Sequence, residues 1–195
     1  MKLQKTTLGL FITAILFGGG VYIHEIQNES KQEETQSQEK KVFDFEEKDI
    51  KILTIETQGK TLKFEKTQNS QKPWQMKEPE DKVGNDAIIS FLTNLLASEK
   101  IKRSFKVPTN QKKDYGLEKP LGIIKVELND KTQHQLILGS PDFQGELIYA
   151  QVDPETQSQE QITISLVPKN FQYALERKPE EWLQLEPKPE PSNSK

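Results

Sequence analysis

The sequence predicts an α+β protein: an N-terminal transmembrane helix, then a β-rich domain of antiparallel strands with one helix after each of two strand groups. Three observations predict it. Residues 8–23 contain no charged side chain. From Val42 onward, apolar and polar residues alternate with the period of two expected of half-buried strands. Two stretches, 88–96 and 171–175, repeat instead at helical spacing.

The apolar run comes first. Sixteen residues at a helical rise cover about 24 Å, slightly less than the ~30 Å hydrocarbon core of a bilayer. Leu8, Leu10, Phe11, Ile12, Ile15, Leu16, Phe17, Val21, Tyr22 and Ile23 form the expected membrane anchor, extended by Lys5, Thr6 and Thr7. Lys2 and Lys5 precede the run, and Glu25 and Glu29 follow it, which predicts a cytoplasmic N-terminus and an exported domain. A cleaved signal peptide ending near Gly18 and Gly20 is the alternative, and it exports the same residues. The expected compartment is the periplasm or, in a cyanobacterium, the thylakoid lumen.

The organisation that follows is 1–26 as stub and anchor, 27–41 as a flexible spacer, 42–183 as the extracytoplasmic domain and 184–195 as a disordered tail. The spacer has no apolar side chain with which to offset the entropy of ordering. Within the domain, 42–98 and 122–177 each read as strands followed by a helix, a possible pseudo-repeat.

Val42 to Phe45 reads as a short strand with Phe43 and Phe45 on one face. Residues 50–57 and 61–65 form a hairpin around Gln58-Gly59, and Trp74 and Met76 mark a further strand. Asn85 is placed to cap a helix whose apolar stripe is Ile88, Phe91, Leu92, Leu95 and Leu96, with Thr93, Asn94 and Ser98 facing away. Lys100, Lys102 and Arg103 close that helix and lead into a short strand near Phe105. Residues 107–121 form a connector in which Gly116 takes a left-handed turn and Pro120 starts an extended segment. Ile124, Val126 and Leu128 point inward, the chain turns at Asn129-Asp130-Lys131 and returns to Leu138, and Gly139 breaks the strand. Strands at 147–152 and 162–166 follow, then a helix at 169–177, with Trp182 and Leu183 docking back on the core.

Charge and composition narrow the chemistry. The chain has 27 basic and 30 acidic residues and a net charge of −3, so nothing calls for nucleic acid as a partner. With no cysteine and only two histidines, disulfides and thiolate metal sites are excluded, and no cofactor is expected. His134 shares strand parity with Leu136 and Leu138 and reads as a partly buried or edge-strand residue. Asp142, Glu146 and Asp153 flank one hairpin, but their spacing matches no calcium loop, so they read as solvated turn residues. No nucleophile motif or phosphate loop is present.

Trp74-Gln75-Met76-Lys77-Glu78-Pro79, the helix after it, Tyr115-Gly116-Leu117-Glu118-Lys119-Pro120, Leu136-Ile137-Leu138-Gly139 and Tyr149-Ala150 occur in that order. Together they resemble a bacterial extracytoplasmic family known as domain of unknown function 4340, its cyanobacterial members above all. The resemblance spans about 42–183 and rests most on Trp74, Pro79, Tyr115, Gly116, Leu117, Pro120, Gly139 and Tyr149. Glu118 stands where members more often have Asp. The resemblance implies an anchored, β-rich exported domain, and some relatives accompany ABC-type export or gliding-motility systems. It carries no catalytic residues.

The functional expectation is therefore a non-enzymatic accessory domain that contacts a membrane and an envelope or transport protein. The alternative is a module binding a small molecule, peptide or glycan, or less readily a carboxylate hydrolase.

Overall fold

Nine strands join in one antiparallel sheet, and this sheet replaces the expected α+β arrangement. In the computed structural model the described residues are 40–57, 59–155 and 160–184. The strands are β1 (Ile50–Thr57), β2 (Lys60–Lys66), β3 (Trp74–Glu78), β4 (Lys82–Val83), β5 (Arg103–Pro108), β6 (Gly122–Leu128), β7 (Gln133–Pro141), β8 (Leu147–Val152) and β9 (Gln161–Pro168). Their spatial order is β4-β3-β2-β1-β6-β7-β8-β9-β5. Two helices are short by comparison, α1 (Asp86–Ser98) and α2 (Asn170–Leu175).

The correction to the fold class has a physical cause. β1 pairs with β2 on one side and with β6 on the other, so the two strand groups share a sheet instead of building one each. Ile55 lies opposite Ile124 and Leu53 opposite Val126, all buried on one face. Both helices cover that same face, where one contiguous core holds Phe64, Trp74, Leu96, Leu138, Phe171 and Trp182. A second sheet would leave one of these apolar faces in water. Among the described residues no helix is long and apolar enough to cross a membrane. The anchor expected from Leu8 to Ile23, the spacer up to residue 39 and the tail from 185 lie outside the described residues.

Several elements differ locally from expectation. Residues 42–45 are not a strand. Val42, Phe43 and Phe45 are all buried, and the two Phe rings stack at 5.4 Å, so this segment caps the core irregularly. The helical stripe is rotated: Ile89, Leu92, Thr93, Leu95, Leu96 and Ala97 are buried, while Phe91 is exposed. Thr93 turns inward because its hydroxyl has a partner there, Glu47 Oε1 at 2.7 Å. Asn85 precedes α1 but makes no side-chain cap; its Nδ2 donates to Glu181 O at 3.1 Å. No basic residue lies in the last turn of α1.

The connector divides into β5 and a 3₁₀ turn, Thr109–Tyr115, and β5 crosses to the far edge of the sheet to pair with β9. β7 continues through Gly139 to Pro141, with a register shift between Leu138 and Pro141 in its pairing to β8. Trp182 is buried against Phe64, with ring centroids 5.7 Å apart.

Candidate functional site

The face of the sheet away from the helices carries a smaller core. Val107, Leu117, Ile162 and Ile164 are buried there, packed with Phe105, Tyr115, Ile137 and Tyr149. Alternation places them together: 162 and 164 on β9, 105 and 107 on β5, 137 on β7 and 149 on β8 share one face. The 3₁₀ turn ends at Gly116, with φ 73, and its amide donates to Lys113 O at 3.1 Å. This turn brings Tyr115 onto Gly139 and Gly116 onto Ser140, too close for a β-carbon at either glycine. Tyr115 and Tyr149 then meet edge to face with centroids 5.0 Å apart, and Phe105 lies 5.6 Å from Tyr115.

Five of the eight motif residues therefore come together: Tyr115, Gly116, Leu117, Gly139 and Tyr149. Their contacts are apolar and steric, which is how a loop is fastened to a sheet. Trp74 lies elsewhere, buried in the main core against Gly84. Pro79 is exposed on the β3–β4 hairpin, and Pro120 is half-buried just before β6.

One end of the sheet is built differently. The pairings bring the end of β1, the start of β6, the end of β7, the start of β8 and the end of β9 to the same border. Among the described residues, three of the four exposed large apolar side chains lie there: Leu121, Phe143 and Tyr173. Phe143, at the tip of the β7–β8 hairpin, is as open as in an extended peptide at 103 %, and Tyr173 on α2 is 52 % exposed. Lys169 joins the two elements. Its Nζ donates to Gly145 O at 2.9 Å and lies 5.9 Å from the Tyr173 ring centroid.

Beside them is a cavity of about 260 Å³ with Leu62, Leu175 and Pro179 as apolar wall and Lys60, Arg177 and Glu180 as polar lining. Periodicity gave no reason to single out this border. The available signal was an aromatic residue inside a turn, Asp142-Phe143-Gln144-Gly145.

The titratable groups are dispersed. His134 sits on β7, not at an edge, with its Nδ1 2.7 Å from Asp153 Oδ2 and its ring 5.1 Å from Phe43. Asp142 Oδ1 accepts the amides of Glu146 and Leu147, closing the hairpin tip, so it does not converge with Asp153 at the other end of β8. Among the described residues no group of three His, Asp or Glu is placed to hold a metal ion. Among the described residues the displaced carboxyls all move down, and all are exposed between elements. Lys48 lowers Glu46, the Gln75 amide and then Lys77 lower Asp81, and the Thr132 amide lowers Asp130.

A family model described as Domain of unknown function (DUF4340) matches residues 74–187, more than half of the chain. The chain belongs to this family. No curated protein and no solved structure matches it. The DUF4340 match begins at the first residue of β3, so β1 and β2 lie outside it while the helices, the aromatic cluster and the exposed Leu121, Phe143 and Tyr173 lie within it. In this DUF4340 domain Gly116, inside the Tyr-Gly-Leu turn, and Gly139, beneath it, both lie where a β-carbon would clash.

Proposed function

We propose that this chain is a non-enzymatic interaction domain that grips another protein, of an envelope or transport complex, with the border formed by Leu121, Phe143 and Tyr173. The observation that carries the reading is the full exposure of Phe143 beside a half-exposed Tyr173. Scattered apolar residues on a surface need no explanation, but three gathered at one border do. Aromatic side chains bring large contact area with few rotors to order, and they dominate binding energy at interfaces. The Lys169 bridge holds the hairpin tip and α2 together, which lowers the ordering cost of contact.

Export belongs to the same reading. It rests on Lys2 and Lys5 before residues 8–23 and on Glu25 and Glu29 after them. Because the chain has no cysteine, Gln144→Cys provides a single thiol next to Phe143. Labelling of intact cells by a membrane-impermeant maleimide supports export to the periplasm, labelling only when isolated sealed thylakoids are opened supports export to the lumen, and labelling as soon as the cytoplasm is released rejects export.

The contact is tested by a photocrosslinking residue placed at 143 and, as control, at Gln68 on the opposite border. The expected result is one reproducible protein adduct from position 143, none from position 68, and loss of the adduct in Tyr173→Ala. Equal adducts from both positions would reject the reading. The second reading, a small-ligand module, draws on the cavity lined by Lys60 and Arg177, and its volume is below the ~300–1,000 Å³ usual for ligand pockets.

A further inference from the structure

β5 ends the sheet, and its charge is unlike the rest of the chain. Lys102, Arg103, Lys106, Lys112 and Lys113 fall within twelve residues that contain no acidic side chain, although acidic residues outnumber basic ones 30 to 27 overall. The two that lie on the β5–β9 ladder face uncharged partners: Arg103 lies opposite Leu166, and Lys106 opposite Thr163. Among the described residues none of the five is in a salt bridge.

The backbone has a direction as well. Thr109 N donates to Glu160 O at 3.0 Å, which sets the alternation of the β5–β9 ladder. Residues 103, 105 and 107 exchange bonds with β9, so Ser104 and Lys106 turn their N–H and C=O groups away from the sheet. Ahead of β5, residues 40–42 already pair on that outer side, with Ile101 N donating to Lys40 O at 2.8 Å. Outward backbone groups flanked by basic side chains match one kind of partner.

We propose that the outer edge of β5 takes an extended acidic segment of a partner protein as an added strand. The edge supplies the backbone bonds, and Lys102, Arg103 and Lys106 select the charge. A second copy of β5 is disfavoured because its edge has the same sign. A polyanion would use the charges and the outward N–H groups, but its oxygens offer no donor to the outward C=O groups of Ser104 and Lys106. The proposal rests on the β5 edge and uses none of Leu121, Phe143 and Tyr173, so either can fail without the other.

The test uses the full chain and a synthetic alternating glutamate–valine heptapeptide, with a lysine–valine peptide as control. Amide resonances and hydrogen exchange report on Ser104 and Lys106. The acidic peptide is expected to slow exchange at both amides, with an affinity that falls as salt rises. Lys106→Glu should weaken binding by about tenfold or more. Lys106→Pro, which removes one outward N–H and spares the β9 ladder, should weaken it at unchanged fold stability.

Four outcomes would overturn the proposal. One is unchanged affinity in Lys106→Glu, and another is peptide shifts confined to other strands. A third is duplex DNA or anionic vesicles binding the same residues while the acidic peptide does not. The last is exchange at Ser104 and Lys106 already slowed in the free full chain, which would mean that the edge is occupied.

Discussion

Gly139 lies directly beneath the backbone carbonyl of Tyr115, with no space for a β-carbon between them. The contact joins two segments far apart in sequence, the 3₁₀ turn before β6 and the end of β7, and the aromatic cluster of Tyr115, Tyr149 and Phe105 stands on it.

Gly139→Ala should therefore destabilise the domain by about 1–3 kcal/mol, the usual cost of forcing atoms into a packed site. The obstacle is backbone and has no rotamer by which to move aside. Gly59→Ala is the comparison, because its φ of 74 is strained but nothing lies within 4 Å of an added methyl. Urea midpoints at constant slope measure both, and Gly139→Ala should lose Tyr115 ring contacts that Gly59→Ala keeps.

Trp182 is buried and its carbonyl accepts the amide of Asn85 at 2.8 Å, so the C-terminal segment clamps the start of α1. Trp182→Ala should cost about 3–5 kcal/mol. The amide of Asn85 should exchange faster in that variant than in wild type. Unchanged exchange would show that the clamp does not depend on the ring.

Thr93 is buried with its hydroxyl directed to Glu47, ahead of β1. Thr93→Val keeps the shape and removes the donor, at a cost of about 1 kcal/mol. Thr93→Ser keeps the donor and should retain the tie to Glu47 while losing a methyl contact. A double-mutant cycle with Glu47→Gln separates the two effects.

Asp130 accepts the amide of Thr132 at 2.8 Å, and that bond holds its carboxyl below the ordinary aspartate value. A lowered folded pKa means the contribution is complete above the unfolded value of ~3.9 and is lost as pH falls through the lower folded value. The Thr132 amide shift should titrate with a midpoint below ~3.9, and Asp130→Asn should abolish that inflection. A midpoint at or above the unfolded value would contradict the assigned bond.

Local pattern made much of the β-structure legible. Alternation at Leu62 and Phe64, at Trp74 and Met76, and at Ile124, Val126 and Leu128 is what a half-buried strand requires, and those residues are buried on one face. Gly116 was legible as a left-handed turn for the same local reason. The rotation of α1 was not, because Thr93 is polar and its burial depends on Glu47, which is 46 residues away. Nor was the role of Asn85, whose side chain reaches Glu181 O instead of its own helix. The border of Leu121, Phe143 and Tyr173 escaped notice because apolar residues are read as core unless their neighbours are known.

By itself the sequence determined where strands alternate, where turns must fall, the absence of thiol chemistry and the excess of acid over base. These follow from side-chain type and spacing alone. Only the tertiary structure decided that two strand groups share one sheet, since β1 can pair with β6 only after 64 or more intervening residues have folded back. It also decided which apolar residues remain outside. Burial is a property of what packs against a residue, and Phe143 at a hairpin tip has nothing packed against it.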